Sequence, residues 1–180
     1  MCGLASYKKF NIFQKQSIVE NIDLTCPDQY LRALDKEKPN IIVNCAGATT
    51  RKLNLIKTSE IISLNSELPH RIDEWCKTNQ AKQIHISTDC VFKGDHAPYT
   101  EQSAIEAQDL YGLSKAVGEV KDSPHSLTLR TSIIGFELEG KTELLEWIIR
   151  QKNADARGFK NVIYSGVTTQ YLASLIYRRA

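Results

Sequence analysis

Short apolar runs alternate with helical patterns along this chain. Residues 41–43 form a continuous β-branched run, Ile-Ile-Val, and a turn containing a glycine follows at 44–47. Such a run predicts a strand that is buried on both faces and closed by a turn. Similar runs predict three further strands, at residues 84–86, 127–129 and 162–164.

Helical patterns fill the intervals between these runs. Five apolar residues recur at spacings of three and four, which places them on one face of a helix; they are Ile61, Leu64, Leu68, Ile72 and Trp75. Pro69 is expected to bend or restart that helix, because proline has no backbone N–H to donate. Other helices are predicted over 28–34, where Pro27 suits a first turn, and over 110–120.

The alternation of strands and helices determines the expected fold class. It is typical of a parallel sheet with helices on both faces, so we predict a Rossmann-like α/β fold. Ligands bind such folds at the carboxyl ends of the strands, which here are residues 44–50, 87–94 and 130–135. The 180 residues, 42% of them hydrophobic, contain no repeat and no linker and therefore fit a single domain.

The charges are nearly balanced and scattered along the chain. There are 23 basic and 21 acidic residues, a formal net charge of +2, and no basic block of the kind that binds nucleic acid or an anionic membrane. No apolar run approaches the roughly 20 residues that a bilayer span needs, and the first ten residues lack a signal-peptide pattern. We therefore expect a cytoplasmic protein that binds neither nucleic acid nor membrane.

The cysteines indicate reduced thiols. They are odd in number and form no C-x-x-C pair, at Cys2, Cys26, Cys45, Cys76 and Cys90. This pattern argues against a disulfide framework and against a zinc site. We expect no metal site and mostly buried thiols.

One pair of side chains carries acid–base chemistry. Tyr111 and Lys115 are four residues apart on a predicted helix and therefore share a face, about one turn from each other. A nearby cation favours the phenolate, so such a pair can donate and recover a proton near neutral pH. The same spacing also arises by chance on solvated helices, and the surrounding motifs must decide.

Those motifs resemble a known family. The segment STDCVFKG begins at Ser87 directly after a predicted strand, PYTE follows at 98–101, and YGLSKAVGE spans 111–119. In order and spacing they resemble the dTDP-4-dehydrorhamnose reductases, a family of extended short-chain dehydrogenase/reductases. Three other segments resemble elements of that family, namely VNCAGATT at 43–50, LRTSIIG at 129–135 and SGVTT at 165–169, the last before an expected helix over 170–178.

The resemblance implies hydride transfer between NADP(H) or NAD(H) and a keto-sugar attached to a nucleotide. By position, Tyr111 would protonate the carbonyl oxygen and Thr88 would hydrogen-bond that oxygen. Lys115 would lower the pKa of Tyr111 and hold the nicotinamide ribose. The cofactor set is Ala46, Gly47, Ser87, Tyr111 and Lys115, and the candidates for the sugar site are Asn65, Asp89, Val91, Phe92, Arg130 and Thr131. Residues from about 130 to 180 would contribute the substrate side of the single domain.

Structural alternatives stay open for most of these residues. Thr88 would then only end a strand, Asp89 would cap a turn and Phe92 would belong to the core. Asn65 would face solvent, and Arg130 would be a surface charge. His85, between two isoleucines, is expected to be a packed strand residue and not a catalyst.

The chain departs from the family at its beginning. Such reductases start with a strand that runs into G-x-x-G-x-x-G, whose glycines let the pyrophosphate approach a helix N-terminus. No such segment is present, and the first 16 residues contain one glycine. We therefore expect an N-terminally truncated Rossmann-like domain that lacks the first βα unit and the next strand. Cys90 also replaces an aromatic residue of the family pattern.

Two functions follow from these features. The first is a nucleotide-sugar reductase, or its inactive truncated product. The second is a non-catalytic binding or regulatory subunit, because the regulatory subunit of methionine adenosyltransferase resembles the same family. Whether the chain pairs with itself or with a partner subunit stays open.

Overall fold

The chain has two compact units in a computed structural model. The structure describes residues 2–5, 17–50, 53, 55–96, 98–137, 143–152, 155, 158–160, 164 and 166–179. The units are Met1–Leu129 and Arg130–Ala180. Val162 and Ile163, of the fourth predicted strand, lie outside the described residues.

Parallel strands form the framework of the first unit. They are β1 (Cys2–Ala5), β2 (Ser17–Glu20), β3 (Ile41–Asn44), β4 (Lys82–Ile86) and β5 (Ser126–Leu129). One sheet pairs β1 with β2, and the other has the order β3-β4-β5. The α/β class is confirmed, and so are the strands predicted around residues 41, 84 and 127.

The strand β3 differs from its prediction. Val43 is 40% exposed, although the apolar run predicted burial on both faces. The reason is its place in the sheet, because β3 is an outer strand of the three-stranded sheet. The strands β1 and β2 were not among the predicted strands, because the first apolar run used for prediction begins at residue 41.

The first helix follows its sequence signals. Helix α1 (Pro27–Glu37) has Pro27 in its first turn with Asp28, whose charge suits the helix N-terminus. It ends where Lys38 takes a left-handed conformation and its N–H donates to the carbonyl of Leu34. The predicted helix is confirmed and continues three residues beyond residue 34.

The long helix predicted over residues 61–75 is interrupted. Helix α2 (Thr58–Ile62) runs into a π-helical turn (Ser63–Glu67), and α3 (Leu68–Asn79) follows with Pro69 in its first turn. The restart at Pro69 is therefore confirmed. The π turn widens the backbone at Asn65, and such turns occur frequently at functional sites.

The main core lies between α1 and α3. Its buried residues are Tyr30, Leu34, Leu68, Ile72, Trp75, Cys76 and Ala81. The Trp75 indole N–H donates to Asp35 Oδ1 at 2.7 Å, which satisfies the polar atom of this large side chain. Burial of these apolar groups fixes α3 and, through α3, the position of the π turn.

A buried carboxylate joins α3 to the sheet. Asp73 is 3% exposed and accepts hydrogen bonds from the hydroxyls of Ser123 and Ser126, each at 2.6 Å. Lys77 Nζ lies 2.6 Å from the same carboxylate. Burial raises the pKa of Asp73, but these three partners outweigh it and hold the pKa below its usual value.

Helix α4 (Leu110–Val117) completes the first unit. It ends three residues before the predicted residue 120, at Gly118. The second unit contains β6 (Ile133–Ile134), α5 (Leu144–Arg150), β7 (Val167–Thr168) and α6 (Thr169–Arg179), with β6 and β7 parallel. The predicted late helix is confirmed as α6. None of the helices in the described ranges is long and apolar enough to cross a membrane.

Candidate active site

The turn after β3 is held by polar side chains at the end of the sheet. Asn44 is 4% exposed, and its Oδ1 accepts the Ala46 N–H at 3.1 Å. Its Nδ2 lies 3.2 Å from Nδ1 of His85, the neighbouring residue on β4. Asn44 therefore fixes the turn relative to the strand beside it.

Asn65 holds the same turn from the other side. It is fully buried, its Oδ1 accepts the Ala48 N–H at 2.8 Å, and its Nδ2 donates to the Ala48 carbonyl at 3.0 Å. Nδ2 also lies 3.0 Å from the hydroxyl of Ser114 on α4. The alternative that Asn65 faces solvent is wrong. Its amide links the turn, the π turn and α4, and a role in the sugar site stays a prediction.

Gly47 lies where a side chain would not fit comfortably. A Cβ at this position would lie 3.0 Å from Asn65 Oδ1 and 3.8 Å from the Lys115 amine. The backbone of the turn is therefore close to Lys115, with no side chain between them. Ala46 is the half-buried residue before it, and its cofactor contact stays a prediction.

The turn after β4 carries Thr88. Its side chain is 5% exposed and caps the 3₁₀ turn Asp89–Val91, accepting the Cys90 N–H at 3.2 Å. The hydroxyl also lies 3.4 Å from Asp89 Oδ1. Thr88 therefore does more than end a strand, because its hydroxyl is fixed by the turn that follows.

Helix α4 begins against that turn. Asp109 caps it, accepting the Gly112 N–H at 2.9 Å. A Cβ at Gly112 would lie 2.5 Å from the Cys90 carbonyl oxygen and 2.7 Å from Ala107 Cβ, so a glycine is required for this close approach. The contact brings Tyr111, the residue before Gly112, to the turn that carries Thr88.

The Thr88 side chain acts on the phenol of Tyr111. Burial of the phenol raises the pKa of Tyr111, and the Thr88 side chain lowers it by a smaller amount. The carboxylates of Asp89 and Asp109 also raise that pKa. The expected lowering of the Tyr111 pKa is therefore wrong in this structure, because loss of water around the phenol outweighs the favourable contact. The phenol stays protonated at neutral pH and is available as an acid.

Lys115 lies one turn further along α4 and is 4% exposed. Its Nζ donates to the Ile86 carbonyl at 2.7 Å, at the end of β4. Burial lowers the pKa of Lys115 to about 8, while the Glu119 carboxylate, and Cys45 when it is ionised, act in the opposite direction. The amine is therefore charged at neutral pH, and it loses its proton when the pH rises only slightly above neutral.

The other predicted residues of the first unit have identified surroundings. Ser87 donates to Glu119 Oε1 at 2.8 Å. Val91 is fully buried, and Phe92 stacks on Tyr99 with ring centroids 4.4 Å apart. Asp89 accepts from Thr88 within the turn. These contacts place all four residues around the end of β4, and their binding roles stay predictions.

Arg130 and Thr131 belong to the second unit. Both are half-buried, and the Thr131 hydroxyl donates to the Ser132 carbonyl at 2.7 Å. A cavity of about 200 Å³ in this unit is lined by residues from 133–137, by 143–145 and by Thr169. The sugar-binding role of Arg130 and Thr131 stays a prediction.

Two residues with clear contacts were missing from the sequence analysis. Glu119 is 5% exposed and accepts the Ser87 hydroxyl, and Ser114 joins Asn65 to α4. Glu119 follows Lys115 by four residues, an opposite-charge spacing that signals an interaction. His85 is fully buried, as expected for a packed strand residue. Within the described residues, no group of three or more His, Cys, Asp or Glu side chains is placed to hold a metal ion.

Comparison with known proteins decides the family. A family model described as the RmlD substrate binding domain matches residues 5–155. The chain belongs to this family. The match begins well before residue 43, where the first segment that resembles the family starts, and it covers both β2 and the site around Tyr111.

Curated proteins with sequence similarity to this RmlD substrate binding domain include reductases and a subunit of another enzyme. A dTDP-4-dehydrorhamnose reductase of Aggregatibacter actinomycetemcomitans is 34% identical over 115 residues, which are 62% of this chain and 39% of that protein. Methionine adenosyltransferase 2 subunit beta of Danio rerio is 30% identical over 111 residues, 57% of this chain and 32% of that protein. The match thus spans less than half the length of these relatives.

A solved structure supports the same fold. A hypothetical dTDP-4-dehydrorhamnose reductase from Sulfolobus tokodaii is similar with a TM-score of 0.77 and 25% identity, over 99% of this chain and 71% of that one. The Rossmann-like parallel arrangement is therefore shared by a longer protein.

Proposed function

We propose that this chain carries the acid–base half of a nucleotide-sugar reductase, which reduces a dTDP-linked 4-keto-6-deoxysugar with NADPH or NADH. The observation that carries the proposal is the contact of the turn that carries Thr88 with the start of α4, which brings Thr88 and Tyr111 to the strand end where the Lys115 amine is buried. A protonated phenol, a fixed hydroxyl and a cation at one strand end are the groups that a developing oxyanion requires. Reductases among the relatives support the substrate class.

The residues fit one end of the dinucleotide. Gly47 leaves the turn after β3 open to close approach, with the Lys115 amine beside it. The amine, the Tyr111 hydroxyl and the backbone at residues 46–47 would hold the ribose next to the nicotinamide. The sequence has no glycine-rich turn for the pyrophosphate, so the other end of the cofactor has no equivalent support within this chain.

The chemistry of the chain's own residues follows from these positions. The bound cofactor supplies the hydride. Tyr111 donates its phenolic proton to the carbonyl oxygen of the sugar, and its raised pKa keeps that proton in place until charge develops. The Thr88 hydroxyl, fixed by the Cys90 N–H, supports the same oxygen. Lys115, charged below about pH 8, stabilises the phenolate that remains.

The alternative is a binding or regulatory subunit of the same fold. Its support is the similarity to methionine adenosyltransferase 2 subunit beta, which is 30% identical to this chain, whereas the dTDP-4-dehydrorhamnose reductase is 34% identical. The retained set of Thr88, Tyr111 and Lys115 favours the reductase. The sequence given contains no glycine-rich turn, and a subunit that turns over no cofactor does not need one.

The family resemblance is also the basis for our proposals on the location, pathway and partners of the protein. We place the protein in the cytoplasm, among the short-chain dehydrogenase/reductases that make precursors of polysaccharides. Its partner would be a nucleotide sugar, with a second copy or another subunit as the protein partner. The whole chain would act as one NAD(P)-binding domain, with residues from about 130 on the substrate side.

Titration of the chain with NADPH, followed by NADPH fluorescence, tests this function. We expect saturable binding, and oxidation of NADPH when a dTDP-4-keto-6-deoxysugar is added. Saturable NADPH binding without turnover, together with capture of a methionine adenosyltransferase catalytic subunit, would favour the alternative. Absence of any saturable binding would contradict turnover by this chain.

A further inference from the structure

Glu119 is a buried carboxylate close to a buried amine. Glu119 is 5% exposed and Lys115 is 4% exposed. Burial of an isolated charge is strongly unfavourable, and proteins therefore pair such charges or neutralise them. The proposed reductase requires Lys115 as a cation, so the structure must contain a group that compensates its charge.

The hydrogen-bond partner of Lys115 does not supply that compensation by itself. Lys115 Nζ donates to the Ile86 carbonyl, which is a neutral acceptor. An ammonium has three donors and needs an anion nearby if it is to keep its charge without water. The carbonyl fixes the position of the amine, and the charge balance must come from another side chain.

Glu119 is held at the same strand end. The Ser87 hydroxyl donates to Glu119 Oε1 at 2.8 Å, and the Ser87 N–H donates to the Leu129 carbonyl at 2.8 Å. Ile86 and Ser87 are consecutive, so two adjacent residues of one strand end hold the amine and the carboxylate. At the end of α4, the Glu119 N–H donates to the Ala116 carbonyl at 3.3 Å.

Among the described residues, two further titratable groups interact with Lys115, and both are neutral at pH 7. From the turn after β3, Cys45 acts on Lys115, but burial raises the pKa of that thiol above its usual value. On β4, burial lowers the pKa of His85 to about 3, and the charge of Lys115 also lowers it. Glu119 is therefore the carboxylate that acts on the amine from the end of α4.

We propose that Glu119 is a positioning residue for catalysis, which keeps the Lys115 amine charged at the end of β4, and that Ser87 holds the Glu119 carboxylate in place. This inference rests on the proposed function, in which Lys115 acts as a cation beside Tyr111. It assigns to Ser87 a role through Glu119 in addition to its predicted cofactor contact. The carboxylate touches neither sugar nor cofactor in this assignment.

Titration of Lys115 in the full chain tests the assignment directly. The Cε signal of Lys115, in protein labelled with ¹³C-lysine, is identified by its loss in Lys115→Met and followed by NMR against pH. We expect a wild-type midpoint near 8. Glu119→Gln should lower the midpoint by about one pH unit, the lower end of the effect of a nearby opposite charge. Ser87→Ala should lower it by less.

A matched variant and a conservative variant complete the design. Glu37→Gln removes an exposed carboxylate from α1 and should leave the Lys115 midpoint unchanged. Glu119→Asp keeps the negative charge, but its shorter side chain moves the carboxylate away from Lys115. We therefore expect a smaller decrease of the Lys115 midpoint than in Glu119→Gln. If Glu119→Gln does not fold, Glu119→Asp decides. A folded Glu119 variant with the wild-type midpoint would overturn the proposal.

The two proposals fail in different ways. The NMR titration needs neither NADPH nor a sugar, so absence of turnover would contradict the reductase and leave the Glu119 assignment standing on its midpoint. In an active enzyme, Glu119→Gln should move the alkaline limit of kcat/KM to lower pH. A merely structural role would lower the rate at every pH and leave the position of that limit unchanged.

Discussion

Gly118 lies directly against the backbone carbonyl of Asn65, and a Cβ at position 118 would overlap that oxygen. Gly118 ends α4, while Asn65 sits in the π turn before α3. The contact joins the helix that carries Tyr111 and Lys115 to the residue that holds the turn at Ala48. The geometry of the site therefore depends on the absence of a side chain at this one position.

Gly118→Ala should destabilise the protein. The overlap is with backbone, which cannot rotate away, so the two helices must move apart. We expect the free energy of unfolding in urea to fall by about 1–3 kcal/mol, the usual cost of overpacking. Gly158→Ala is the control, because a Cβ there meets nothing within 4 Å. Equal stability of the two variants would contradict the contact.

His85 should make stability depend on pH. Burial lowers its pKa to about 3, well below the 6.5 of a free histidine, so the unfolded state binds an extra proton between these values. Stability is then complete above pH 6.5 and is lost as the pH falls toward 3. Between pH 7 and 5 we expect a loss of about 2 kcal/mol in urea unfolding, from about 1.36 kcal/mol per pH unit.

The matched variant for this prediction is His85→Gln. It keeps a polar side chain beside Asn44 but cannot titrate, so its stability should change little between pH 7 and 5. Asp73 does not interfere in this range, because its lowered pKa affects stability only below about pH 4. A variant that loses as much stability as the wild type would show that another group is responsible.

Thr88→Val should raise the pKa of Tyr111 further. The Thr88 side chain lowers that pKa, and valine has the shape of threonine without the hydroxyl. NMR of ¹³Cζ-labelled tyrosine in the full chain measures the titration. Thr88→Ser keeps a hydroxyl and should give a midpoint close to that of the wild type. A valine variant with an unchanged Tyr111 midpoint would show that the Thr88 hydroxyl does not act on the phenol.

The elements that the sequence predicted are those with strong local signals. The strands β3, β4 and β5 contain apolar runs, and α1 has Pro27 in its first turn. The strand β1 escaped prediction because Cys-Gly-Leu-Ala contains no β-branched residue and includes a glycine, which weakens strands. The early end of α4 also escaped prediction, because it depends on the contact of Gly118 with a distant backbone.

The roles of the candidate site residues stay predictions, and the electrostatics of the site differ from expectation. The motifs predict that Thr88 and Tyr111 act at one site, and in the structure the turn that carries Thr88 contacts Gly112, the residue after Tyr111. The direction of the Tyr111 pKa was wrong, because burial in the folded protein cannot be read from a four-residue spacing. The contacts of Asn65 with Ala48 and Ser114 join residues 17 and 49 positions apart, and only the tertiary structure brings them together.

The rate of NADPH oxidation in Tyr111→Phe tests the central claim most directly. The assay adds a dTDP-4-keto-6-deoxysugar to the full chain and follows NADPH absorbance. The control is Tyr177→Phe, which alters a tyrosine that is 81% exposed on α6. We expect Tyr111→Phe to lose about 10²–10⁴-fold of the wild-type rate with unchanged folding, as for loss of a general acid, and Tyr177→Phe to keep it. A folded Tyr111→Phe variant that retains the wild-type rate would contradict the account.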